Sequence, residues 1–124
     1  MGMFVEQLLA DKGVLTMLQT GALVLVMALM ASVASAQGAA DRGQKLFTEQ
    51  KCGLCHSVGA TGNKKGPLDD AGKMSAADLK EWIVNAPAMA AKAKSDRKPA
   101  MKAYTTLAPA DVDALVAYLQ TLKK

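Results

Sequence analysis

Lys51–Ser57 reads KCGLCHS. In a chain of 124 residues this stretch holds both cysteines and the single histidine, all between Cys52 and His56. Two thiols three positions apart on one helical turn point the same way, and the next residue projects an imidazole beside them. That geometry suits a flat prosthetic group bonded through two sulfurs, with a nitrogen ligand under its metal.

Other uses of the same residues fit less well. A structural zinc site needs four nitrogen or sulfur ligands, and no fourth cysteine or histidine exists. A dithiol redox pair belongs in a βαβ setting, and the chain has no β-strand pattern. A disulfide between Cys52 and Cys55 would close too short a loop to restrain anything distant. Cys-x-x-Cys-His is the attachment signature of c-type haem. The expected cofactor is therefore one haem c, covalently held by Cys52 and Cys55, with His56 as the proximal iron ligand.

Working outward, the N-terminal third has a different character. No charged residue occurs from Gly13 to Ala40, and Gly21–Ala31 (GALVLVMALMA) is apolar or small throughout. Ala34 and Ala36 flank Ser35 in the A-x-A pattern of a signal-peptidase site, which predicts cleavage after Ala36. The leading segment carries Glu6 and Asp11 against Lys12, not the positive start usual in a secretory signal. The uncharged run also exceeds the ~18 apolar residues that can span a bilayer. Two readings stay open: residues 1–36 as a cleaved signal, or as a retained anchor associating with a membrane through residues 14–36. Either places the working domain, 37–124, outside the cytoplasm, in a periplasm or its equivalent.

That domain is short for a self-sufficient apolar core, and small domains commonly need a staple or cofactor. Its aromatic residues are Phe47, Trp82, Tyr104 and Tyr118. The whole chain has a net charge of +4, and the domain is more basic still, because the leading segment is acidic. Acidic partners or anionic surfaces suit such a charge. Nucleic acid does not: the compartment is wrong and no aromatic-basic interleaving occurs.

Three main helices can be read, making the class all-α. Ala39–Lys51 carries Leu46 and Phe47 after Gly43 and runs into the cysteine motif. Ser75 begins a second helix with Asp78 three residues on, a capping-box-like start. Met74 and Leu79 stand at the staple positions, and Leu79, Trp82 and Ile83 form one buried stripe that stops before Pro87. The third helix opens at Pro109, with Asp111 and Asp113 near its positive end and Lys123 and Lys124 near its negative end. Its apolar face is Val112, Leu115, Val116, Leu119 and Leu122. Gly-rich and turn-forming residues fill the connections. Trp82 reads as cofactor-pocket core.

With these pieces in order, the segment 37–124 resembles a class I c-type cytochrome. The resemblance rests on Gly43 and Phe47, CGLCH, Gly66–Leu68 (GPL), Trp82, Lys98–Tyr104 (KPAMKAY) and Leu115–Leu119 (LVAYL). It implies a small cytochrome c fold whose helices wrap one haem, with the Pro67 carbonyl accepting from the His56 ring. It also implies Gly43 and Phe47 packed against Tyr118 where the terminal helices cross. Met89 and Met101 share the tripeptide Pro-Ala-Met, which alone cannot say which is the sixth ligand. The resemblance implies Met101, in the loop that crosses the distal haem face, followed by the aromatic Tyr104; Met89 is then gap-filling core. Lys102 departs from the proline common after the ligand in similar proteins.

A haem capped by His56 and Met101 leaves no open site for a small-molecule substrate. The expected function is a one-electron carrier between redox proteins, not an enzyme. Lys92, Lys94, Arg97, Lys98 and Lys102 form a basic cluster suited to an acidic docking face on the partner. Two alternatives remain: a membrane-anchored cytochrome subunit of a larger redox complex, and a haem sensor whose sixth ligand is displaced.

Overall fold

The computed structural model describes residues 35–124, of which Ala36–Lys124 form one unit. The expected signal or anchor lies almost wholly outside the described residues. Among the described residues, no helix is long and apolar enough to cross a membrane.

The unit is all-α, built on helices α1 (35–49), α2 (Ala76–Val84), α3 (Ala86–Lys92) and α4 (Pro109–Thr121). Helix α2 starts as its sequence dictates: the Ser75 hydroxyl accepts from the Asp78 N–H at 3.1 Å and donates to its carboxylate at 2.8 Å. This satisfies an N–H that the first turn leaves without a partner. Pro109 opens α4 from the first turn, where its missing N–H costs nothing. Val112, Leu115, Val116 and Leu119 of α4 are buried against Leu79 and Ile83 of α2 and Leu46 of α1.

The terminal helices meet at Gly43. A Cβ built there would overlap the backbone carbonyl of Ala114 and the Cβ of Tyr118, so only glycine allows the approach. One turn on, the Phe47 and Tyr118 rings pack edge to face, with centroids 5.8 Å apart. Ion pairs Arg42–Asp111 and Lys80–Asp113 tie α4 to α1 and α2 at the surface. At the far end, the Gly72 N–H donates to the Leu122 carbonyl at 2.8 Å, docking the end of the chain on the short 3-10 turn Ala71–Lys73.

Two features depart from the sequence reading. The segment after Pro87, expected to be loop, forms α3, with the proline in its first turn. Proline breaks a helix from within but starts one well, and Ala88–Lys92 are good helix formers. Asn85 separates α2 from α3. Secondly, the connection after the cysteine motif folds into a minimal antiparallel hairpin, β1 (Ser57–Val58) and β2 (Thr61–Gly62), where no strand was expected. Two-residue strands are too short to show alternation. Gly59 and Gly62, at φ 58° and 94°, turn the chain in a region that other residues rarely adopt.

Candidate haem site

Helix α1 ends at residue 49, and Lys51 adopts a left-handed conformation (φ 58°). The chain thereby turns sharply into the 3-10 turn Cys52–Leu54, which carries the first sulfur, and Cys55 follows as its C-cap. Both cysteines are free thiols, Cys52 half-buried and Cys55 exposed. The His56 N–H donates to the Cys52 carbonyl at 2.9 Å, closing the motif on itself.

Asn63, which no motif in the sequence singles out, locks this turn from outside. Its N–H lies 3.1 Å from the Gly53 carbonyl and 2.9 Å from that of His56, and its side-chain amide donates to Leu54 at 3.1 Å. The hairpin's Gly62 carries the chain so close that a Cβ would overlap the His56 carbonyl.

The His56 ring is oriented by Gly66. Its Nδ1 lies 3.1 Å from the Gly66 carbonyl, which can only accept, so Nδ1 carries the proton and Nε2 is left for a metal. This corrects the expectation that Pro67 supplies that carbonyl. The reason is a short parallel bridge. Ser57 donates to Gly66 O at 3.0 Å and Leu68 donates to Ser57 O at 2.9 Å, which aims the Gly66 carbonyl at the 56–57 backbone. Pro67 instead lines an apolar cleft beside the motif. Burial lowers the His56 pKa, Gly66 opposes this, and the positive charge of Arg97 lowers it further. The ring is held neutral, the form that ligates metals. Burial pushes the Cys52 thiol up, against a hydrogen bond from Tyr104.

That cleft has a volume of about 480 Å³, within the ~300–1,000 Å³ usual for cofactor sites. Its apolar walls come from α2 (Leu79, Trp82, Ile83) and α4 (Leu115, Leu119), and Met74 also faces it. Cys52 and His56 line it, as do Met101 and Tyr104 from the loop before α4. A neighbouring cleft of about 320 Å³ shares Cys52, His56, Met101 and Tyr104 and adds Cys55. The structure thus brings Cys52, His56, Pro67, Trp82, Met101 and Tyr104 to one cavity. Met89, on α3, is absent from the walls of both clefts. The Met101 loop is held there because the Tyr104 N–H donates to the Ile83 carbonyl at the end of α2, at 2.9 Å.

Arg97, expected in a basic surface cluster, is exposed, and its guanidinium donates to the Cys55 carbonyl. It lies against Gly66, where a Cβ would overlap it. Lys92, Lys94, Lys98 and Lys102 are exposed. Ion pairs among the described residues engage none of them, and Lys102 sits 4.9 Å from the centroid of the Tyr104 ring. Leu54, inside the motif, is 71% exposed.

An apolar cavity with an oriented imidazole, a thioether and adjacent thiols is what a covalently held iron porphyrin requires, so the residues present fit haem c. Such a cavity in a small helical domain fits a haem-binding protein. The cytochrome c family matches residues 40–123, and the chain belongs to it. Over 94 residues the chain is 32% identical to "Cytochrome c oxidase subunit 2" of Alkalihalophilus pseudofirmus. That alignment covers 68% of this chain and 26% of the relative, so the chain spans about a quarter of that protein's length. No solved structure matches the chain.

Proposed function

We propose that this chain is a monohaem, class I electron carrier. Cys52 and Cys55 would hold one haem c covalently, with His56 and Met101 as the ligands to its iron. The observation that carries the reading is that Met101, remote from His56 in sequence, lines the same apolar cleft, whereas Met89 does not. When bound, the haem supplies a one-electron ferric/ferrous couple, and methionine ligation raises its potential. The protein's part is to hold both ligands fixed and to exclude water with Trp82, Leu79, Ile83, Leu115 and Leu119. Little then rearranges when an electron enters from a donor protein and leaves to an acceptor. With His56 and Met101 both holding the iron, the site would leave no place for a substrate, and the chain would act as a carrier and not as an enzyme.

Carbon monoxide tests the axial ligation. The reduced protein is expected to bind it weakly, because Met101 must leave first; tight, rapid binding would instead mark a sensor with an open or displaceable position.

Docking is assigned to the surface where Leu54 is exposed, with Lys98 and Lys102 close to the Met101 loop. Exposed lysines outside the ion pairs suit an acidic redox partner. Lys98→Glu with Lys102→Glu is expected to slow electron transfer to such a partner about tenfold at low salt, the difference shrinking as salt rises. Stopped-flow rates across a salt series measure this, and an unchanged rate at low salt would remove the lysines from the docking face.

A second reading, a subunit held to a membrane within a larger redox complex, is favoured by the name of the similar oxidase subunit and by the uncharged run of residues 13–40. N-terminal sequencing of the protein from its host separates the two. A start at Gln37 supports the free carrier in an extracytoplasmic space, and a retained Met1 or Met3 supports the anchored subunit.

A further inference from the structure

The loop that carries Met101 is tied down at both ends. At its C-terminal end, the Tyr104 N–H donates to the Ile83 carbonyl. At its N-terminal end, Arg97 crosses to the cysteine motif and donates from Nη2 to the Cys55 carbonyl. Arg97 has no carboxylate partner among the described ion pairs. The same guanidinium packs on Gly66 so closely that any side chain there would collide with it, and the Gly66 carbonyl is the group that orients His56. Arg97 also forms part of the wall of both clefts. One side chain therefore touches the attachment turn and the backbone behind the His56 ring, four residues ahead of Met101.

We infer that Arg97 is a positioning residue that clamps the methionine loop onto the haem-attachment turn and biases the couple toward its reduced form. The inference rests on the His56–Met101 ligation proposed above. Both effects follow from its placement. Pinning the loop to a fixed carbonyl lowers the entropy Met101 loses on staying at the metal. A cation held beside the site disfavours the oxidised state, which carries one more positive charge, and favours gain of one electron from a reductant. Lysine in its place would keep the charge but lose the planar fork that spans the carbonyl and Gly66.

The test compares wild-type holoprotein with Arg97→Gln, Arg97→Lys and Lys94→Gln, the last removing a charge from an exposed side chain with no such contact. Redox titration against a mediator, and carbon monoxide titration of the reduced form, are the readouts. For Arg97→Gln, the ferrous-to-ferric ratio at the wild-type midpoint should fall at least about threefold, an effect moderated by solvent around the guanidinium. Its carbon monoxide affinity should rise by about tenfold as the methionine loosens. Arg97→Lys should keep the midpoint near the wild-type value while still binding carbon monoxide more tightly, and Lys94→Gln should leave both unchanged. Equal midpoint and affinity in wild type and Arg97→Gln would overturn the inference, as would a shift of the same size in Lys94→Gln. Tight carbon monoxide binding by the wild type would instead contradict the ligation itself, whatever the Arg97 variants do.

Discussion

A chain carrying both Cys52→Ser and Cys55→Ser is expected to lose every covalently held pigment and most of its folded population. The cleft beside Cys52 is walled by Leu79, Trp82, Ile83, Leu115 and Leu119, and all of these except Trp82 also join α2 to α4 in the core. Without a flat apolar body against them, these walls must collapse or face water. Leaving a large side chain unpacked costs roughly 2–5 kcal/mol, and several walls are involved. Domains of this size hold about 5–15 kcal/mol in total, so the void rivals the whole. Each single serine variant keeps one bond and should retain pigment through acid-acetone extraction, at lower yield. Extraction followed by far-ultraviolet circular dichroism measures both effects. A double variant that stayed coloured after extraction would contradict covalent attachment through these sulfurs.

Gly43→Val should be the most damaging single change away from the cysteine motif. The group its Cβ would strike is the Ala114 backbone carbonyl, which cannot rotate aside as a side chain could. Helix α1 would have to lift from α4, separating Phe47 from Tyr118 and loosening Leu46 in the core. A loss of at least about 3 kcal/mol follows, at the upper end for overpacking. Gly38→Ala is the control: it lies in the same helix, and a methyl group added there would meet nothing within 4 Å. Replacing an exposed helical glycine by alanine should be neutral or stabilise by up to about 1 kcal/mol. Denaturant unfolding of the holoproteins would separate the two. Comparable stability in Gly43→Val and wild type would mean the helices do not cross at that glycine.

What the sequence revealed was mostly local. CGLCH names its chemistry within five positions, Ser75 and Asp78 announce the start of α2, and Pro109 announces α4. Each signal acts over a single turn of chain. Pro87 misled because proline punctuates helices in two ways: read as a stop for α2, it also opens α3. The hairpin at Ser57–Gly62 was hidden because two residues per strand show no periodicity, and only the positive φ of Gly59 and Gly62 marks it.

Long-range placements were less legible. Nothing in KAKSDRK distinguishes Arg97, which reaches the Cys55 carbonyl, from the equally exposed lysines around it. Asn63 looks like a turn residue and binds the carbonyls of Gly53, Leu54 and His56. The choice between two Pro-Ala-Met tripeptides depends on a hydrogen bond from Tyr104 to Ile83, a contact that appears only when the loop has folded back over α2. The swap of Pro67 for Gly66 behind His56 has the same origin. The bridge between Ser57 and Pro67 decides which carbonyl turns inward, and the tripeptide GPL contains both candidates.

The proposed carrier function rests above all on one cleft presenting His56 and Met101 to the same iron. The most direct measurement is the near-infrared spectrum of the oxidised holoprotein, where methionine sulfur on ferric iron gives a weak charge-transfer band, recorded for wild type, Met101→Ala and Met89→Ala. The band should be present in wild type and in Met89→Ala and absent from Met101→Ala. Its loss in Met89→Ala with survival in Met101→Ala, or its absence from the wild type, would contradict the claim.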